Sequence, residues 1–330
     1  MQAQLIHQFG EPSVFNLEDI AMPSLEKGQI LVQVCASSVN QIDCKIRKGL
    51  VPNLAPPFPA ILHGDVAGIV SAVAPDVSQF KVGDEVYGCA GGLKGSAGAL
   101  AEYMPVDAQL IAHKPKSLTM LEAAALPLVS ITAWEALFKK ARLAPGQSIL
   151  IHGGVGGVGH IAVQLAKQHG AKVYTTVLKS ADFTLAKSLG ADEVINAKEE
   201  EVDQYVQRLT QGKGFDVVFD TVGGANLDKS FLAAAIEGMV VTTAARSTHD
   251  LSPMHNKALG LQVVFMLLPI LNQQGRAAHG KILTELANII DQGKLKPLLD
   301  PRSFQLAEVA DAHAYLESGQ SRGKVIIAIS

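Results

Sequence analysis

Six consecutive residues, Gly154, Val155, Gly156, Gly157, Val158 and Gly159, carry the most specific chemistry in this chain. The residues before them, 148–151 (Ser-Ile-Leu-Ile), form an unbroken apolar run, as a parallel strand covered on both faces requires. After the turn, Val158, Ile161, Ala162, Leu165 and Ala166 recur at helical spacing, and Gly170 stands where that helix should stop. Between a strand and a helix, three glycines of this spacing divide the work. One permits the tight turn, one lets the backbone approach a pyrophosphate, and one lets helix and strand pack closely. The free N–H groups and positive dipole end of the helix then face the phosphates. The turn is expected to bind a dinucleotide.

The second strand, expected at residues 171–177, decides which one. A site selective for NAD places Asp or Glu at its end to accept from the ribose 2′-OH. Here Val177 is followed by Leu178, Lys179 and Ser180. No carboxylate repels a 2′-phosphate, and Lys179 offers a cation. A pair of unit charges at ~4 Å is worth roughly 1 kcal/mol in water and about 4 kcal/mol at an effective dielectric near 20. Even the lower figure favours NADPH several-fold.

The wider chain must position this turn. Its 330 residues exceed what one core usually organises, so two domains are expected. A hydrophobic content of 48% fits a globular α/β protein. Net charge −3 without a basic cluster argues against nucleic acid as a partner. The longest apolar stretch, residues 259–271, is interrupted by Gln262 and too short to span a bilayer, so no membrane partner is expected. No signal peptide opens the chain, and Cys35, Cys44 and Cys89 are too few and too scattered for a disulfide framework; both point to the cytoplasm.

Residues 1–127 read as a β-rich first part, with strands at 29–34 and 67–73. Residues 51–59 are proline-rich and expected to form an ordered loop, and the glycine-rich segment 91–98 a mobile one. Residues 128–268 alternate helix and strand patterns, the mark of a doubly wound parallel sheet. Its strands are expected at 148–152, 172–177, 193–196, 216–220, 239–244 and 261–268, with helices such as 181–189 and 199–209 between them. Residues 269–330 carry helical patterns at 282–292 and 307–318 and a last strand at 324–329. A strand after the sheet is complete implies a return to the first domain. The default ligand position is a cleft between domains.

Nine short stretches share their order with a known family. They are Val39-Asn40-Gln41-Ile42-Asp43 with Lys45-Ile46-Arg47, Asp65-Val66-Ala67-Gly68, Val82-Gly83-Asp84-Glu85-Val86-Tyr87-Gly88, Ala124-Ala125-Leu126-Pro127, and Thr132-Ala133-Trp134-Glu135 before Leu137. The glycine turn, Leu189-Gly190-Ala191-Asp192, Phe219-Asp220-Thr221-Val222-Gly223-Gly224 and Arg322-Gly323-Lys324-Val325 complete the set. The chain thus resembles the zinc-free quinone oxidoreductases of the medium-chain dehydrogenase/reductase superfamily. That resemblance implies an α/β fold, with a GroES-like β-rich catalytic domain around a Rossmann domain with a doubly wound, parallel six-stranded sheet. It implies NADPH as cofactor, quinones or α,β-unsaturated carbonyls as substrates, and a homodimer joined at residues 261–268.

The same superfamily contains zinc alcohol dehydrogenases, one alternative reading. Where those relatives carry zinc ligands, this chain has Gln41, His63-Gly64-Asp65 and Leu128. Cys44 and His63 lack a third ligand in the sequence, whereas a catalytic zinc takes about three. Without a Lewis acid, substrates already activated by conjugation are favoured. Another alternative is a non-catalytic protein retained for NADPH sensing or RNA binding.

By the same resemblance, Asn40 faces nicotinamide and substrate, and Lys45 stands where several relatives have a cleft tyrosine. Both are catalytic candidates; Asn40 as a turn residue and Lys45 as a solvated helix lysine are the plain alternatives. Thr132, Thr221, Ala244, Ala245, Arg246 and Lys324 join the glycine turn and Lys179 as cofactor-binding candidates. For Thr132 the alternative is a hydroxyl bonded within its helix, and for Lys324 a surface charge. Asp43 reads as a helix cap and His63 as a packed histidine.

Overall fold

Residues 1–329 are described by a computed structural model, in two compact units. One comprises Met1–Ile131 and the tail from Leu267 onward; the other is Thr132–Met266.

In the first unit, β1 (Gln2–Ile6) and β2 (Phe15–Asp19) pair as a two-stranded ribbon. β3 (Gln29–Val39), helix α1 (Gln41–Arg47), β4 (Asp65–Val73), β5 (Glu85–Cys89), β6 (Tyr103–Asp107) and β7 (Ile111–His113) follow. Helices α2 (Met120–Ala124) and α3 (Pro127–Trp134) lead onward. β3 is eleven residues long because one edge serves two partners. β6 pairs with residues 29–33, and the final strand of the chain pairs with residues 36–39. The other edge of β3 carries β4, with Ala36 opposite Ala67. This register gathers the ends of three strands, at residues 38–40, 65 and 324, around one point.

The second unit runs β8 (Ser148–Ile151), α4 (Gly159–Gln168), β9 (Lys172–Val177), α5 (Phe183–Ser188), β10 (Glu193–Asn196) and α6 (Val202–Thr210). It continues with β11 (Phe215–Asp220), α7 (Asn226–Ala233), β12 (Ala234–Thr242), α8 (Ser252–Lys257) and β13 (Gly260–Val263). All six strands are parallel, in the order β10-β9-β8-β11-β12-β13, the doubly wound Rossmann arrangement. β8 is buried from Ile149 to Ile151, as its apolar run requires. Leu150, Phe215, Val218, Phe231 and Val240 sit in the core on one face of this sheet.

The tail holds α9 (Leu268–Asn272), α10 (Ala277–Asp291), β14 (Leu299–Gln305), α11 (Val309–Glu317) and β15 (Lys324–Ala328). β14 and β15 complete the first unit's seven-stranded sheet, so the last strand does return to the first domain.

Three details differ from the sequence expectation. The sixth strand stops at Val263 rather than 268, because the chain turns into α9, with a proline at its first turn. The fifth begins at Ala234 and irregularly, with Glu237 at φ 59° and a register shift opposite Phe215/Val217. The glycine-rich segment 91–98 is packed at both ends, while Lys94, Gly95 and Ala97 are exposed. A Cβ on Gly92 would meet the backbone of His63 at 2.6 Å, and one on Gly98 the carbonyl of Leu62 at 1.9 Å. Gly92 and Gly98 allow that close backbone approach, whereas Gly95 stands at φ 84° with open space around it. The Lys94 N–H also donates to the Leu54 carbonyl, tying this loop to the proline-rich one.

Candidate functional site

The glycine turn is built from the end of β8 and braced by β9. The Gly153 N–H donates to Thr176 Oγ1 and the Gly154 N–H to the Thr176 carbonyl. The positive φ that makes the turn falls on Gly153, at 74°, one residue before the motif. Gly154 has no room for a side chain, since a Cβ would sit 2.0 Å from Thr175 Oγ1. Gly159, first residue of α4, lies as close to the Gly153 carbonyl, at 2.0 Å from a built Cβ. Gly156 is different: it is exposed, and its only near neighbour would be the Gly153 carbonyl at 3.1 Å. Gly154 and Gly159 serve packing, and Gly156 is the bare backbone left facing outward. Val155, Gly157 and Val158 are half-buried beside it.

The neighbouring strand exits form the rest of this rim. β9 ends at Val177, and Lys179 and Ser180 beyond it are exposed, with no carboxylate at the strand end. Asn196, at the end of β10, donates from Nδ2 to Ser180 Oγ at 2.9 Å and so steadies this loop. Thr221 donates its hydroxyl to the His152 carbonyl at 2.6 Å, fastening the exits of β8 and β11 together. Its proton is therefore committed to the scaffold. Asp220 Oδ1 accepts from the N–H groups of Val222 and Gly223 and from Asn226 Nδ2, which fixes the loop that follows. Ala244 packs against that loop, 2.5 Å from a built Gly223 Cβ, and its N–H donates to Thr242 Oγ1. Ala245 is half-buried and Arg246 exposed. Thr132 is buried on α3. His152, buried beneath the turn, is pushed down to about 4 by loss of solvent, against the pull of Asp220.

The first unit holds a constellation centred on Asp65. Its Oδ2 accepts from Ser38 Oγ and Asn40 Nδ2, each at 2.8 Å, and its Oδ1 from the Leu128 N–H at 2.8 Å. Lys324 Nζ lies 3.6 Å from Oδ2. Lys324 is 3% exposed and donates to the Val39 carbonyl and to Asn40 Oδ1. The surface role expected of Lys324 does not hold, because its ammonium is engaged inside the protein. Burial pushes that ammonium below the usual lysine range, against the pull of Asp65 and Asp43.

Asn40 is the N-cap of α1 and is buried. Its amide orientation is fixed from both ends, oxygen toward Lys324 and nitrogen toward Asp65. Asp43 Oδ2 accepts from the Asn40 N–H at 2.7 Å, the capping role expected, and burial lifts its carboxyl to about 7. Lys45 lies exposed on α1.

His63 and Cys44, the two residues weighed as metal ligands, both contact a third side chain. The sequence reading missed His313, on α11, which stands between them: its Nε2 is 2.8 Å from His63 Nε2, and its Nδ1 3.4 Å from Cys44 Sγ. The signal was one histidine within the alanine-rich stretch of α11, which shows its partners only once the fold is known. Among the described residues no group of three His, Cys, Asp or Glu is arranged to hold a metal.

A β-rich unit joined to a Rossmann sheet with an open glycine turn defines a dinucleotide-dependent oxidoreductase. Comparison with known proteins agrees. Residues 26–116 match the alcohol dehydrogenase GroES-like domain, and residues 189–327 a zinc-binding dehydrogenase domain. The chain is 36% identical to the 2-methylene-furan-3-one reductase of Solanum lycopersicum, over 99% of its own length and 79% of that protein. In structure it resembles an alcohol dehydrogenase superfamily protein from Novosphingobium aromaticivorans, with TM-score 0.95 and 42% identity over the whole of both chains. It also resembles the Escherichia coli quinone oxidoreductase solved with NADPH, at TM-score 0.90 and 28% identity, over 99% of this chain and 100% of that one. The chain belongs to the medium-chain dehydrogenase/reductase superfamily, among its quinone-oxidoreductase-like members.

Proposed function

We propose that the protein is an NADPH-dependent, zinc-independent reductase of quinones and α,β-unsaturated carbonyls. The observation that carries this reading is the rim of the second unit, where Gly156 is left bare and Lys179 follows a strand without a terminal acid. Those residues fit NADPH. The turn at 154–159 and the N-terminus of α4 would hold its pyrophosphate, and Lys179 its 2′-phosphate. Thr132, Ala244, Ala245 and Arg246 are the remaining candidates for contact. When bound, this cofactor supplies the hydride.

The place where zinc-dependent relatives bind metal is filled differently here. Asp65 already accepts from the hydroxyl, amide and N–H donors described, which makes it a poor candidate ligand. Without a Lewis acid, the acceptor must be electron-poor by itself, which selects quinones and conjugated carbonyls. The relatives named for furanone and quinone reduction support that class. Asn40 is held rigidly, and its second amide hydrogen is the group assigned to steady a developing oxyanion. Lys45, exposed nearby in sequence, is the lesser candidate for polarising a carbonyl. Solvent delivers the proton. The exposed residues Gln262 and Val263 on edge strand β13 support a homodimer through that edge.

The test is steady-state oxidation of NADPH and NADH against a panel of quinones, enals and enones, with metal analysis of the purified protein. Turnover with NADPH that survives chelation is expected. Stoichiometric zinc with chelator-sensitive alcohol oxidation would overturn the reading.

A further inference from the structure

Apart from the residues assigned above, the second unit carries a nucleophile, a base and an acid in line. Ser247 Oγ lies 2.5 Å from His249 Nε2, and His249 Nδ1 lies 2.8 Å from Asp228 Oδ1. A carboxylate only accepts, so Nδ1 carries the hydrogen, and in the neutral imidazole Nε2 is left as acceptor. The Ser247 hydroxyl therefore donates to His249. Hydroxyl, imidazole and carboxylate stand in the order that activates a serine as a nucleophile.

The parts differ in freedom as such a device needs. The His249 side chain is 8% exposed, and the Phe231 ring meets it edge-on at 6.2 Å and 87°. Asp228 lies in the first turn of α7, its side chain 49% exposed. Ser247 is exposed, on the segment between β12 and α8. The base is preorganised while the nucleophile is open to a ligand.

We propose that Ser247 is an activated nucleophile that takes acyl groups from small activated carboxylic esters, with His249 as its base and Asp228 as the positioning residue. Oγ bonds to the ester carbonyl carbon while its proton passes to His249 Nε2. The carbon–oxygen bond to the leaving group then breaks, and the leaving alcohol takes that proton. Water, deprotonated by the same imidazole, hydrolyses the acyl-serine and restores the hydroxyl. No oxidant or reductant is involved, and the proposal stands independently of the reductase reading.

The experiment treats the full chain with a fluorophosphonate probe and with p-nitrophenyl acetate, and locates the labelled residue by peptide mass spectrometry. The label is expected on Ser247, and Ser247→Ala should abolish it. His249→Gln should slow labelling about 100-fold, the lower end of what a positioned base contributes. Asp228→Asn should displace the midpoint of the pH–rate profile of labelling while the thermal unfolding midpoint stays put. Folding of each variant is checked by circular dichroism. A folded wild-type protein with no label on Ser247 overturns the proposal, as does a His249→Gln variant that labels at the wild-type rate.

Discussion

His63 and His313 meet Nε2 to Nε2 at 2.8 Å inside the first unit, and only one of those nitrogens can hold the hydrogen. The neighbours decide which. Ser37 donates its hydroxyl to the Asp65 carbonyl, so it accepts from His63 Nδ1. His63 Nε2 is then the acceptor, His313 Nε2 the donor, and His313 Nδ1 accepts from the Cys44 thiol, which burial pushes up to about 12. Every member is neutral, and the proton order runs one way from Cys44 to Asp65. Burial is the main cause that lowers both histidines, His63 to about 3 and His313 well below its usual range.

Acid should therefore unfold this protein earlier than its carboxylates alone would. With depressed folded values, His63 and His313 bind protons only in the unfolded chain from about pH 6.5 downward, so stability falls as pH falls through that window. His152, lowered to about 4, acts in the same direction. Asp43, raised to about 7, opposes them, because the folded state keeps its proton between pH 3.8 and 7. The histidines outnumber it, and a net loss of at least about 1.4 kcal/mol per pH unit is expected between pH 6 and 4. Urea unfolding followed by circular dichroism at several pH values measures this slope; a flat profile would mean that the histidine chain is not neutral.

Lys324 offers a sharper test of the Asp65 cluster. Replacing it with Met removes the cation beside Asp65 and the donor that fixes Asn40 Oδ1. Breaking a buried pair leaves an uncompensated charge, at a cost of about 3–5 kcal/mol. Lys324→Met should lower the thermal midpoint by several degrees, whereas Lys45→Ala, on an exposed helix position, should leave it nearly unchanged. Equal, small effects of both would show that the Lys324 ammonium is not held as described.

The three motif glycines should fail in different ways. A Cβ at Gly159 or Gly154 collides at 2.0 Å with the Gly153 carbonyl or with Thr175, so Gly159→Ala and Gly154→Ala are expected to destabilise the fold itself. At Gly156 the nearest atom is 3.1 Å away, and Gly156→Val should fold. That variant places its side chain at the proposed pyrophosphate site and should weaken NADPH and NADH alike, about 100-fold or more (~2.7 kcal/mol). Fluorescence titration with each nucleotide, alongside thermal unfolding, separates the two kinds of failure.

The Rossmann half was readable because its determinants are local. Ile149–Ile151 needed only an apolar run, and the turn only glycines between that run and a helical pattern. The Asp65 cluster was not readable, because it joins residues 38, 40, 65 and 324 through the pairing of β15 with β3 and of β3 with β4. A lysine after a glycine looks like surface charge until the next four residues are found buried or nearly so. One local signal was available: Lys324 heads the apolar run Val325-Ile326-Ile327-Ala328 with no polar alternation, which marks a strand buried from its first residue. Fixing the Asn40 amide required the same long-range pairing, so its partners were not visible beforehand.

The cofactor preference proposed above rests on Lys179. Lys179 is exposed, two residues past the end of β9, on a loop pinned by the bond from Asn196 to Ser180. A cation at the proposed 2′-phosphate position would discriminate between a 2′-phosphate and a 2′-hydroxyl. In solvent, such a contact is worth roughly 1 kcal/mol, or several-fold in affinity. Lys179→Ala should raise the KM for NADPH about five-fold at low salt and leave the KM for NADH unchanged. Added salt should shrink the difference between wild type and variant, since exposed charges are screened beyond about 10 Å at 0.1 M. An equal rise for both cofactors would place Lys179 in the structure of the loop rather than opposite the phosphate. Lys179→Glu should go further and reverse the preference, because a carboxylate there repels the phosphate and accepts from the ribose hydroxyl.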